Sequence, residues 1–147
     1  MRTLPLACIP ALFTVMLQAA APVPLYIDGY AGKISVAQGE KVPVHVSTTA
    51  EKYDIEVARL GRERVVVWKQ AGVPGAEHPV PEDASAQGCR WPVSAEVPVG
   101  ADWRSGYYEI SLRAADRGGK WTARGARTAS GGAFFIVRQA APMLREM

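Results

Sequence analysis

Cysteine is almost missing from this chain. Cys8 and Cys89 are the two in 147 residues, which excludes a small domain held together by a disulfide framework. Histidine is as scarce, with only His45 and His78. A nucleophile-and-base hydrolase centre therefore has two bases to draw on, and no nucleophile elbow accompanies them. A zinc site needs three or four ligands, whereas His45, His78 and Cys89 are singletons far apart in sequence. An excess of one charge is also lacking. Against 17 Lys and Arg stand 14 Asp and Glu, a net charge of +3, which gives no support to nucleic acid as a partner. Gly118-Gly119-Lys120 lacks the glycine spacing of a phosphate loop and has no following helix. It reads as a hairpin loop. The length falls short of the roughly 250 residues of a (β/α)8 barrel and fits one domain.

The one long apolar run stands at the start. Met1–Ala21 has a basic Arg2, an apolar stretch over Leu4–Leu17 and small residues at Ala19-Ala20-Ala21, the three parts of a secretory signal peptide. Pro5, Pro10 and Gln18 argue against a membrane anchor, and the run is shorter than the roughly 20 residues of a spanning helix. Cleavage near Ala20 or Ala21 removes Cys8 and leaves Cys89 without an internal partner. The expected division is a signal peptide at 1–21, a folded domain at 22–138 and an unstructured tail at 139–147. The expected location is secreted or periplasmic, with no membrane span after cleavage.

From Leu25 onward the pattern has a period of two or consists of short apolar runs. Val42, Val44 and Val46 alternate with polar neighbours, as do Tyr53, Ile55 and Val57, and Tyr108, Ile110, Leu112 and Ala114. Arg64–Lys69, Val93–Val97 and Ala133–Arg138 carry further strands. Alternation sends one set of side chains to a core and the other to solvent. Turn signals separate the runs at Gln38-Gly39-Glu40, Leu60-Gly61-Arg62, Val73-Pro74-Gly75, Gln87-Gly88, Val99–Asp102, Arg117-Gly118-Gly119 and Ser130-Gly131-Gly132. Ala71–Gln87 and Asp116–Gly132 read as long loops. Short strands with no strong helix between them predict an all-β fold, an immunoglobulin-like β-sandwich of about seven to nine strands.

Four tryptophans are the candidate ligand-binding residues. Trp68, Trp91, Trp103 and Trp121, with Tyr30, have the chemistry of a sugar-stacking platform. Tryptophans in a small sandwich more often pack in its core or cover its ends. His45 lies on a predicted strand, on the face opposite the three valines. No catalytic residue, metal ligand or cofactor is assigned.

Several segments share a family's order and spacing. They are Asp28-Gly29-Tyr30 with Ser35-Val36 and Gly39-Glu40, Val44-His45-Val46-Ser47-Thr48, Tyr53–Gly61, and Cys89-Arg90-Trp91-Pro92-Val93-Ser94. Pro98, Ala101-Asp102-Trp103, Ser105-Gly106-Tyr107-Tyr108 and Phe135-Ile136-Val137-Arg138 follow. The set resembles the N-terminal region of secreted proteins similar to the large (beta) subunit of N,N-dimethylformamidase, and it runs from Ile27 to Arg138. The resemblance implies a β-sandwich attached to a larger C-terminal catalytic domain, in the true formamidase an iron-dependent amidohydrolase releasing formate and an amine. This chain stops at Gln139–Met147, where that domain is expected to begin, so no catalytic residue carries over. The expectation is an exported, non-catalytic accessory domain that docks against a catalytic domain or subunit. An extracellular or periplasmic ligand- or glycan-binding module is the alternative, and an enzyme acting within this chain, completed by a partner, is a third.

Overall fold

Alternating side chains build two packed sheets. The computed structural model describes residues 24–115 and 128–139. Its elements are β1 (Ile27–Ala31), β2 (Ser35–Ala37), β3 (Lys41–Thr48), β4 (Lys52–Leu60), β5 (Arg64–Pro74), the one-turn helix α1 (Ala84–Gln87), β6 (Ala95–Pro98), β7 (Gly106–Ala115) and β8 (Thr128–Arg138). One sheet has the order β1-β3-β6 and the other β2-β8-β7-β4-β5. Every pairing is antiparallel except β2 with β8, which runs parallel from Ser35↔Ile136 to Ala37↔Arg138. The expected all-β sandwich is the observed fold. Among the described residues no helix is long and apolar enough to cross a membrane.

The core follows the period-two sets. Val42, Val44 and Val46 from β3 and Val97 from β6 meet Tyr53, Ile55 and Val57 from β4, Ile110 and Leu112 from β7, and Phe135 and Val137 from β8. Burying each such side chain contributes about 1.5–3 kcal/mol. At the entry to β7 the Tyr108 hydroxyl donates to the Arg104 carbonyl at 2.7 Å, the tyrosine corner of immunoglobulin-like sandwiches. Ile110, two residues further and fully buried, stands where antibody domains place a disulfide cysteine. An aliphatic side chain fills that position here.

Three boundaries differ from the sequence expectation. β1 and β2 are separate strands in opposite sheets, too short to show a clear period. β5 continues through Pro74 into the expected loop at 71–87, which also contains α1. β8 begins at Thr128, so Ser130-Gly131-Gly132 is strand rather than turn. The reason at Gly131 is a close backbone approach. A Cβ there would lie 2.5 Å from the Ile27 carbonyl oxygen of β1, and glycine in a strand commonly marks such a crossing. The expected signal segment, Arg117-Gly118-Gly119-Lys120, Trp121 and the tail beyond Gln139 lie outside the described residues.

Candidate functional site

The four tryptophans have different fates. Trp103, just before β7, is buried, its ring stacked on Tyr108 at 5.1 Å and facing Phe135 at 6.5 Å. Trp91 is buried in the segment leading to β6, where its indole N–H donates to the Pro79 carbonyl at 2.9 Å. Trp68, on β5, is half-buried against the edge of the core. Trp121 lies outside the described residues. Among the described residues no ring contact joins one tryptophan to another; Trp91 meets Tyr30 and His78 instead.

Residues 75–94 lie across the outer face of the three-stranded sheet and use its polar atoms. Tyr30 and His45 are cross-strand partners on that face. The His45 Nδ1–H donates to the Trp91 carbonyl at 2.7 Å, with the Pro92 carbonyl 3.2 Å away. A carbonyl can only accept, so the Nδ1 nitrogen carries the proton. The Trp91 N–H donates to the Tyr30 hydroxyl at 3.1 Å. Two positions along β3, Ser47 Oγ accepts from the His78 backbone N–H at 2.8 Å and donates to the His78 carbonyl at 3.0 Å. Serine and histidine thus meet through the histidine backbone, which is not the geometry of a nucleophile and its base. Among the described residues no three His, Cys, Asp or Glu side chains are grouped to hold a metal ion. The side chains of the described residues do not fit the iron centre that the resemblance implies for the catalytic domain of the formamidase.

The outer face of the five-stranded sheet divides in two. One end is charged. The Arg64 guanidinium reaches Glu56 at 2.8 Å, Glu109 at 3.1 Å and Ser111 at 3.3 Å, and Lys69 joins Glu56 at 2.8 Å. These cations, Lys69 foremost, hold the Glu56 carboxyl below its ordinary value. The Arg64 side chain spans Ala58, which belongs to the outward set of β4 yet is fully buried. The other end is apolar. Leu60, Tyr107 and Ile136 are aligned by register across β4, β7 and β8. Phe134 stacks on Tyr107 at 5.3 Å, and Ile34, 67% exposed, adjoins through its carbonyl, which accepts from the Ile136 N–H. An antiparallel sheet with one face in water ordinarily shows polar side chains there.

On the inward side of the same strands a cleft of about 330 Å3 opens between Arg59, Val65, Val67, Asp102, Trp103, Arg104 and Tyr108. The register shift between Val57 and Ala58 sets this end of β5 out of step with β4. Burial raises the Tyr108 pKa, with Asp102 adding to the rise and Arg59 opposing it.

The family model for N,N-dimethylformamidase beta subunit-like proteins, C-terminal, matches residues 54–145, more than half of the chain. The chain belongs to this dimethylformamidase beta subunit-like family. The match begins within β4 and covers β5 to β8, including the apolar end of the five-stranded sheet and the cleft beneath it. Its description names a C-terminal region, whereas the motifs resemble an N-terminal one; the relation to the beta subunit is common to both. No curated protein matches the chain.

Sequence reasoning passed over the apolar face and Arg59. The signal for the first was the unbroken Phe134-Phe135-Ile136-Val137, since a strand apolar on both sides is covered on both. Arg59 continues the inward set of Tyr53, Ile55 and Val57, but a charged residue near a strand end reads as solvated, and its meeting with Val65 and Val67 depends on the shifted register of β5.

Proposed function

We propose that this domain is an exported, non-catalytic accessory module of a dimethylformamidase-like assembly, docking through the apolar end of its five-stranded sheet against a catalytic domain or another subunit. The observation that carries this reading is the Leu60–Tyr107–Ile136 row with Phe134 stacked beside it, exposed together on the outer face of the five-stranded sheet. The family description, which names a beta subunit, supports an assembly with a second chain or domain. The partner surface that fits is apolar, because the cations bordering the row already face acids of this chain, Arg64 holding Glu56 and Glu109 and Arg138 facing Glu40. The signal-like Met1–Ala21 supports export.

The test is co-expression with the catalytic chain of a dimethylformamidase-like protein, with mass read by light scattering. The expected result is a complex that the combined Tyr107→Ser, Phe134→Ser and Ile136→Thr variant abolishes while keeping its circular dichroism. A complex that survives those substitutions overturns the docking face. Release of formate from N,N-dimethylformamide by the purified chain alone overturns the non-catalytic role.

A further inference from the structure

Arg59 carries a donor that nothing in the described domain satisfies. Its Nε atom is buried without a hydrogen-bond partner, and one Nη reaches the Ser105 carbonyl only at 3.4 Å. Buried donors in native proteins are nearly always paired, and an unpaired one calls for an explanation. The guanidinium rests against Gly106, which has φ +144°. A Cβ there would stand 3.5 Å from Nε, and one at Gly61 3.2 Å from an Nη, so the guanidinium packs between two glycines at the end of β4 with Nε covered. Among the described residues no carboxylate lies within ion-pair distance of Arg59 or Arg104. Asp102 is the one acid in the cleft wall, against these two cations.

We propose that the cleft binds a small monoanionic carboxylate bearing a short apolar group. The Nη groups of the guanidinium, whose one hydrogen bond is the long contact to Ser105, match a carboxylate through paired N–H donors. Val65, Val67, Trp103 and Tyr108 form the remaining wall, and Val65 is 51% exposed along it, an apolar surface that an apolar substituent covers. The volume lies at the lower end of the roughly 300–1,000 Å3 of small-molecule sites. One anionic charge balances two cations and Asp102, whereas a doubly charged phosphate leaves an excess beside Asp102. The site is independent of the docking face. Arg59 and Tyr108 point inward, while their neighbours Leu60 and Tyr107 lie on the outer side of the same sheet.

The experiment is an NMR titration of the folded protein with benzoate, benzamide and inorganic phosphate, following the Arg59 Nε–H and Trp103 Nε1–H resonances. Benzoate is expected to shift both in a saturable way, with benzamide and phosphate weaker by about tenfold or more. Arg59→Met is expected to weaken benzoate by a similar factor. Val65→Asp, a substitution at a half-exposed wall position, keeps the question open to test if Arg59→Met does not fold; it places a competing carboxylate in the cleft and is expected to abolish binding. Equal response to benzoate and benzamide, tighter binding of phosphate, or benzoate binding unchanged in either folded variant overturns the proposal.

Discussion

Tyr30 and His45 stack with ring centroids 4.7 Å apart and planes 15° from parallel, and between them they bind both backbone polar groups of Trp91. This pair of adjacent strands thereby fastens the 75–94 segment to the three-stranded sheet. Tyr30→Phe removes the acceptor for the Trp91 N–H and keeps the ring. The expected loss is about 1 kcal/mol, read from the urea midpoint. His45→Phe keeps a stacking ring and strips the carbonyl of its donor. The double variant is expected to lose less than the two single losses combined, since both act on one residue. An unchanged midpoint for Tyr30→Phe refutes the fastening role.

Gly131 and Gly132 are expected to respond differently to alanine. At Gly131 the new methyl meets the Ile27 carbonyl at 2.5 Å, and at Gly132 the nearest atom is the Ile110 carbonyl at 3.4 Å. Gly131→Ala forces β1 away from β8 and is expected to cost about 1–3 kcal/mol. Gly132→Ala is expected to stay within about 0.5 kcal/mol of the parent. Thermal unfolding of the two variants side by side decides the matter, and equal melting points contradict the crossing.

Burial lifts the hydroxyl pKa of both Tyr53 and Tyr108 above the ordinary tyrosine value of 10.0. A raised folded-state value means that the contribution is intact below the unfolded value and is lost as pH rises through the folded one. Stability is therefore expected to hold to about pH 10 and then fall, with tyrosinate absorbance from these two residues appearing together with unfolding. The two differ when changed to phenylalanine. Tyr108→Phe breaks the bond to Arg104 and is expected to cost about 1 kcal/mol. The Tyr53 hydroxyl is buried and makes no bond of hydrogen-bond length, with Ser94 near enough only to offset part of the rise. Tyr53→Phe is expected to be neutral or stabilising by up to about 1 kcal/mol, and a marked destabilisation refutes that reading.

Glu56 governs part of the acid limb. Lys69 and then Arg64 hold its carboxyl below the ordinary value of 4.5. A lowered folded-state value contributes stability above the unfolded value and loses it as pH falls through the folded one. Glu56→Gln is expected to be less stable than the parent at neutral pH, with the gap closing on acidification and shrinking in high salt. Midpoints measured across that range test this; a gap that stays constant with pH refutes it.

Much of the sandwich was legible because burial obeys the period of two. Val42, Val44 and Val46, and Tyr108, Ile110, Leu112 and Ala114, are buried as the alternation requires. What stayed hidden depends on contacts between distant segments. Ser130-Gly131-Gly132 has the composition of a turn, and only the passage of β1 over it makes it strand. The tryptophans share one chemistry, so nothing local separates Trp103, stacked on Tyr108, from Trp68 at the β5 edge. His45 was correctly placed opposite the valines, but its partner was not legible, because Trp91 belongs to a segment that folds back from the far end of β5.

The parallel pairing of β2 with β8 bears on how this chain comes to be whole. Ser35 and Ile136 are about a hundred residues apart in sequence and adjacent in space, a long-range contact of the kind that slows folding. Until Thr128–Arg138 is in place, β2 has no neighbour in its sheet and β7 shows a bare edge open to any passing strand. The domain is accordingly expected to close late and all at once, with its last strand as the key to the lock.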